Sequence, residues 1–182
     1  MLSDELKGAL MNPVVVGNII CFAGSIIMML MGLIKEKRSF LSVQCGMNAA
    51  FVVGNYVLGG ISGSIANAVT MLRNLFCLKY KMGLWSKLFF IILQLGLTFA
   101  AGCDNIIMWL PIIGACIFTW FMDSENMVLL KIIIIASQLM WAVFDFSISN
   151  FATLPFDIAA SVTNSVSLAV ILKDRKADSK AQ

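Results

Sequence analysis

Seven apolar stretches joined by short polar connections constrain the fold of this chain more than any other feature. They cover residues 13–34, 39–59, 61–78, 85–101, 105–122, 127–147 and 153–172. A helix rises about 1.5 Å per residue, so stretches of this length approach or exceed the roughly 30 Å hydrocarbon core of a bilayer. The chain is 60% hydrophobic and only 13% charged, which leaves too little polar surface for a soluble protein. We therefore predict an all-α, polytopic membrane protein with seven transmembrane helices.

The connections are too short to hold a soluble domain, so residues 1–182 are predicted to form a single membrane domain. The first apolar stretch follows a mixed-charge start and precedes no small-residue cleavage site, so we predict no cleavable signal peptide. The sequence has no histidine, no glycine-rich phosphate loop and no cysteine pair at metal-ligand spacing. We predict that the protein is not an enzyme, and that it binds no cofactor, metal or nucleic acid; its expected partner is the lipid bilayer.

The basic residues predict the orientation of the chain, because Lys and Arg concentrate on the cytoplasmic side of membrane proteins. With seven spans, only Lys7 of the 13 basic residues falls on one side, and the other twelve fall on the opposite side. An even number of spans would scatter these residues over both faces. We predict that the N-terminus is outside and that the tail, residues 173–182, is cytoplasmic. The net charge of +3 then reflects orientation.

The second half of the chain repeats the first. At an offset of 90 residues the first two stretches fall on the fifth and sixth, and beyond a longer connection the offset becomes 97. The matched polar and aromatic pairs are Asn48 with Gln138, Phe51 with Trp141, Asn55 with Asp145, Tyr56 with Phe146, and Asn67 with Asn164. The repeat predicts two parallel three-helix units, residues 13–78 and 105–172, joined by a linker helix at 85–101.

Several short motifs carry a family resemblance over most of the chain from residue 38 onward. They are Arg38–Gln44, Tyr56–Gly60, Asn67–Asn74, Leu110–Gly114 with Thr119 and Trp120, and the single residues Trp141 and Asn164. In these motifs the chain resembles the YgjV family of bacterial inner-membrane proteins, which implies a multi-pass protein of the bacterial inner (plasma) membrane. It departs from the family at 150–155, where glycines are expected. The arrangement of two three-helix units and a linker is similar to the SWEET and PQ-loop transporters.

Four amide side chains near the middle of the predicted spans are candidates for substrate binding. They are Asn48, Asn67, Gln138 and Asn164. Polar groups at this depth are costly unless they are satisfied, and they usually face the bundle interior. In SWEET-type transporters an asparagine on the third helix of each unit faces the substrate, and the similarity implies this role for Asn67 and Asn164. The alternative is interhelical hydrogen bonding, at roughly 0.6 to 2 kcal/mol per contact.

Further candidates lie above, below and between these amides. Phe51 and Trp141, one turn away, are candidates to stack on a flat solute or to fill the core. Asn55 and Asp145, near the outer ends of their spans, are candidates for an outer gate or are wetted helix ends.

Arg73 is a candidate to bind an anionic solute or to close an inner gate, or alternatively reaches the headgroups with its side chain. Pro111 is a candidate hinge, because it removes a backbone hydrogen bond from the fifth span. Asp157 is a favourable charge at the start of the last helix, and with Asp145 it forms an alternative site for a proton or cation.

Two functions follow from these features. The first is a transporter or facilitator of a small polar solute, working by alternating access between the two units, in which Asn67→Ala and Asn164→Ala abolish uptake. The second is a non-transporting membrane scaffold or accessory protein, with a dry and closely packed interior. The paired central polarity favours the first. The sequence leaves open the identity of the solute, the direction and ion coupling of transport, and the oligomeric state.

Overall fold

The structure, a computed structural model, describes residues 12–31, 34, 36–124 and 126–181. These ranges form seven α-helices and no β-strand. The helices are α1 (Pro13–Met31), α2 (Lys37–Val57), α3 (Ile61–Cys77), α4 (Leu84–Ala100), α5 (Ile106–Phe121), α6 (Met127–Ser147) and α7 (Leu154–Ala181). The predicted all-α fold with seven helices is confirmed.

The helix ends lie within three residues of the predicted ones, except at the C-terminus. The last helix was predicted to end at residue 172, but α7 continues to Ala181. The added segment is rich in Lys, Arg, Ala and Asp. Lys, Arg and Ala favour helix, so this hydrophilic segment extends α7 beyond its apolar part.

Six of the helices form a ring. Along the chain α1 packs on α2 and α2 on α3, while α5 packs on α6 and α6 on α7. The two halves meet where α3 packs on α5 and where Phe22 of α1 meets Phe156 of α7, with ring centroids 6.3 Å apart. The linker helix α4 packs against α3 and α5 and contributes no residue to the interior of the ring.

The ring is apolar outside and polar inside. Large hydrophobic side chains such as Met29, Ile106 and Phe146 are exposed on its surface. Among the described residues, buried polar and charged side chains outnumber buried hydrophobic ones. This distribution suits a lipid solvent, in which polar groups must find partners within the protein. The chain is therefore a polytopic helical membrane protein.

Length and composition alone identify fewer spans than the ring contains. Three described helices, α1, α6 and the apolar part of α7, are long and apolar enough to cross a membrane unaided. Two others, α4 and α5, are apolar but shorter. The remaining two, α2 and α3, carry the polar side chains of the first unit. Their polarity is acceptable because it faces the ring interior rather than lipid.

The turns α2–α3 and α6–α7 have the same backbone geometry at an offset of 90 residues. Each contains one residue in the left-handed region, Gly59 (φ 78°) and Ser149 (φ 59°). Glycine adopts this region without strain, whereas Ser149 does so at a cost. Matching bonds follow, from Gly60 N–H to Asn55 O (2.7 Å) and from Asn150 N–H to Asp145 O (2.8 Å). Both turns lie at the same end of the ring. We call this end the outer end and the opposite one the inner end.

Candidate functional site

A cavity of about 430 Å³ lies inside the ring, between the two three-helix units. Ligand sites for small molecules typically occupy about 300 to 1,000 Å³, so the cavity is large enough for a small solute. Side chains of α1, α2, α3, α5, α6, α7 and the α6–α7 connection form its wall. Nine of the eleven residues singled out from the sequence line it: Asn48, Phe51, Asn55, Asn67, Arg73, Gln138, Trp141, Asp145 and Asp157.

The middle of the cavity combines amides with aromatic rings. Asn67 lines the cavity and donates one hydrogen bond to Gly63 O in its own helix (2.9 Å). Asn48 is 2% exposed, and its Nδ2 has no hydrogen-bond partner among the described residues. The ring of Phe51 packs against Gly24, and Trp141 meets Phe144 edge to face, with centroids 5.7 Å apart. A solute here meets flat apolar walls and free amide groups.

The outer end of the cavity is closed by a polar network that joins the two units. Asn150 donates from Nδ2 to Asn55 Oδ1 (3.3 Å) of the first unit and to Asp145 Oδ1 (3.2 Å) of the second. Asp157 lines the same end of the cavity as Asp145, and both side chains are buried. Two buried carboxylates that line one end of a cavity repel each other, because the local dielectric is low. Asn55 and Asp145 thus meet through Asn150.

The inner end of the cavity holds a buried cation. Arg73 is 4% exposed, and its Nη1 donates to Thr119 Oγ1 of α5 (2.7 Å). Thr119 in turn donates to Ala115 O (2.7 Å), which fixes its hydroxyl as the acceptor for the arginine. The guanidinium carbon lies 5.6 Å from the centre of the Phe118 ring, a favourable cation–π distance. Arg73 therefore packs against α5 inside the ring.

The chain matches one family model over residues 15–175, which is most of its length. The chain belongs to the YgjV family of bacterial inner membrane proteins. No curated protein and no solved structure matches it. Membership therefore places the protein in a bacterial inner membrane, while the similarity to SWEET and PQ-loop transporters stays a prediction.

Asn164 is not part of the cavity wall of this YgjV-family protein. Its Oδ1 accepts a hydrogen bond from Lys131 Nζ (2.8 Å), and its Nδ2 donates to Ala160 O (2.8 Å). The expected pair of substrate-facing asparagines is thus not brought together with Asn67. The physical reason is the ammonium of Lys131, one turn into α6, which needs an acceptor at that depth. Asn164 ties α6 to α7 within the second unit.

Pro111 is buried in α5 and does not line the cavity either. The helix runs through it from Ile106 to Phe121, so its role as a hinge stays a prediction.

Sequence reasoning missed two residues that shape the outer end and undervalued a third. Asn150 and Thr153 lie in the α6–α7 connection, which looked like a surface hairpin, yet they are 1% and 5% exposed. Asp157 was seen mainly as a helix-start charge, but it lines the cavity. The signal for Asn150 was its position 90 residues after Gly60. The alignment puts it on a left-handed turn directed back into the ring.

Proposed function

We propose that this protein transports or facilitates the movement of a small polar solute across the bacterial inner membrane. One observation carries the proposal: the 430 Å³ cavity lies between the two three-helix units and is lined by buried amides, a carboxyl pair and an arginine. Polar groups inside a membrane protein are costly and mark solute or ion pathways. A scaffold protein has no need of such a cavity.

The distribution of contacts between the units supports alternating access. At the outer end Asn18 of α1 donates to Ser149 O (2.9 Å) and accepts from Ala152 N–H (2.8 Å), and Asn150 bridges the units as described above. At the inner end, the described cross-unit side-chain bond is the one from Arg73 to Thr119. This asymmetry fits a carrier that is closed at its outer end.

The exposure of the cavity wall follows the same gradient. Lining residues at the outer end, such as Asp145, Asn150 and Asp157, are all buried. Lining residues toward the inner end, such as Met28 and Ile134, are partly exposed. With the inner end facing the cytoplasm, as the basic residues predict, the arrangement corresponds to an inward-facing state. Rocking the units about the cavity then exposes it to the other side.

Uptake of labelled solutes into proteoliposomes tests the proposal even though the solute is unidentified. Vesicles that contain the purified protein are incubated with a uniformly ¹³C-labelled extract of small polar metabolites, and their contents are analysed by mass spectrometry. We expect at least one labelled solute to accumulate in protein-containing vesicles and not in empty ones. Gln138→Ala and Asn67→Ala should reduce that accumulation at least about tenfold, because each removes a polar group worth about 1.4 kcal/mol or more to binding.

The matched control is Asn164→Ala, which removes an equivalent amide outside the cavity and should keep the uptake in any variant that folds. If no labelled solute distinguishes protein-containing from empty vesicles, the transport proposal fails and the scaffold function is favoured. Equal loss of uptake in Asn164→Ala and Asn67→Ala would also count against the cavity as the site.

A further inference from the structure

The cavity wall contains polar atoms that have no hydrogen-bond partner among the described residues, and the donors and acceptors lie at different depths. Two hydrogen-bond donors, Arg73 Nε and Asn48 Nδ2, are unpartnered among the described residues. Two acceptors, Asn150 Oδ1 and Asp157 Oδ2, are likewise unpartnered. The acceptors lie at the outer end, whereas the donor on α3, Arg73, lies at the inner end and the donor on α2, Asn48, lies at mid-cavity next to it. Buried polar groups are nearly always satisfied in folded proteins, so these atoms identify what the cavity is built to bind.

The donor end carries a full positive charge. A guanidinium stays protonated in proteins, and Arg73 is almost fully buried. Its described partners are a hydroxyl and an aromatic ring, and no carboxylate of the described residues lies within ion-pairing distance. An unpaired buried charge costs several kcal/mol. A structural arginine at this depth would be expected to have an acidic partner, which the described part of the cavity does not supply.

The free edge of the guanidinium has a defined geometry. Thr119 occupies Nη1, which leaves Nε and Nη2 on the edge that binds a carboxylate through two parallel hydrogen bonds. Asn48 lies on the neighbouring helix about one turn outward of Gln44, which is bonded to Asn74 beside Arg73. Its free Nδ2 is therefore a third donor near the same end of the cavity.

We propose, on the basis of the transport function above, that the solute is a small organic anion whose carboxylate binds the Nε edge of Arg73 and the amide of Asn48. The apolar body of the solute then lies between Phe51 and Trp141, which line the next turn of the cavity. Binding supplies the counter-ion that the described part of the protein lacks. The cavity volume restricts the solute to a small molecule, since a site of this size cannot enclose a peptide segment or a lipid.

A thermal-shift comparison of carboxylates with their uncharged amides tests this inference. The purified protein is heated with sodium acetate, butyrate or benzoate, and with acetamide, butyramide or benzamide at equal ionic strength. We expect a carboxylate of the right size to raise the melting temperature of the wild type by roughly 5 to 10 °C at about a hundredfold excess over its Kd. The matching amide should raise it much less.

Three variants show whether Arg73 is responsible. Arg73→Gln should abolish the difference between carboxylate and amide and should itself melt higher than the wild type when empty, because the unpaired charge is gone. Arg73→Lys keeps the positive charge but not the two parallel donors of the guanidinium, so the rise in melting temperature with carboxylate should be smaller. Thr119→Val, which removes the hydroxyl bonded to Nη1 and to Ala115 O but leaves the guanidinium in place, should keep the carboxylate shift.

The decisive quantity is the carboxylate-minus-amide shift in the wild type compared with Arg73→Gln. Equal values in the two proteins, including no shift in either, overturn the anion proposal, and so does a general salt effect that is the same in both. If the amides stabilise the wild type and Arg73→Gln alike, and Asn67→Ala removes that effect, a solute site exists but is not an anion site. Failure of the transport proposal is read separately, from the vesicle experiment.

Discussion

Substitution of Gly63 tests the contact that holds the two units together at the outer end. Gly63 of α3 faces Phe144 of α6, and a Cβ at this position would lie 2.5 Å from Phe144 Cε1 and 2.7 Å from Cζ. Carbon atoms in contact prefer about 3.5 to 4.0 Å, so the overlap is about 1 Å. Phe144 is fully buried, and its ring has no free space into which to turn. We expect Gly63→Ala to be destabilising.

The magnitude follows from two opposing effects. Overpacking of a well-packed core costs about 1 to 3 kcal/mol, while alanine is favoured over glycine inside a helix by about 1 kcal/mol. Gly96→Ala in α4 measures the second effect alone, because a Cβ there would meet nothing within 4 Å. Relative to Gly96→Ala, the free energy of unfolding of Gly63→Ala should be about 1 to 3 kcal/mol lower. For a chain of this size, that difference corresponds to a melting temperature roughly 2 to 12 °C lower.

The assay is the melting temperature of the purified variants in detergent, with Phe144→Leu as the partner in a double-mutant cycle. Leucine lacks the Cε and Cζ atoms that cause the overlap, so Gly63→Ala should cost less in the Phe144→Leu background. Two results would refute the reasoning. Equal melting temperatures for Gly63→Ala and Gly96→Ala would mean that the close approach is absent. A cost that is unchanged by Phe144→Leu would place the strain elsewhere.

Three other substitutions probe the remaining polar contacts by the same melting assay. Asn164→Ala leaves the ammonium of Lys131 without its acceptor and should cost about 1 to 3 kcal/mol; no loss would show that the bond is dispensable. Asp157→Asn replaces a buried carboxyl near Asp145 by a neutral amide that can donate a hydrogen bond, so the variant should be at least as stable as the wild type, and a clear loss of stability would contradict the repulsion argument. Asp123 lies outside the membrane spans, and a hydrogen bond from its lysine partner in α4 lowers its pKa. A lowered folded-state pKa gives stability that is present above the unfolded value and lost as the pH falls. The free energy of unfolding of the wild type should therefore fall by less than about 1 kcal/mol when the pH drops below about 4. Asp123→Asn should not show this decrease.

The positions of the helices were largely predictable, because the apolar stretches of the sequence determine where each helix begins and ends. Where lipid is the solvent, a run of apolar residues has few alternatives to a helix across the bilayer. The stretch at 61–78 is less apolar than the others because it contains several small and polar residues. It was still recognised as a span, because such residues suit a helix buried in a bundle. The extension of α7 to Ala181 was missed, since hydropathy ends at the membrane surface while helix propensity does not.

The candidate site was partly predictable, because a polar side chain near the middle of a membrane span is usually buried in the bundle. Asn48, Asn67 and Gln138 lie at mid-span, and all three line the cavity. Asn164 also lies at mid-span, but its orientation depends on how α7 is rotated, and the long side chain of Lys131 reaches it first. The role of Asn150 depends on the left-handed backbone at Ser149, which no residue type in that connection demands. The position of a residue along its span can thus be predicted from the sequence. The rotation of a helix about its axis and the path of a connection depend on how the helices pack.

The two contacts of Arg73 connect solute binding with movement of the units. Its bond to Thr119 crosses from the first unit to the second at the inner end, while Arg73 lines the cavity and its Nε has no partner among the described residues. While the cavity is empty, an inner end that admits water lowers the cost of the unpaired charge, because water solvates it. Once an anion neutralises the guanidinium, dehydration of the inner end costs less free energy, while the bond to Thr119, which is present in the empty structure, continues to hold α3 against α5. Within the anion proposal, the charge that selects the solute therefore also favours closure of the loaded carrier over closure of the empty one. The Arg73→Gln comparison bears on both roles, because removal of the charge should remove the anion-dependent stabilisation while raising the stability of the empty protein.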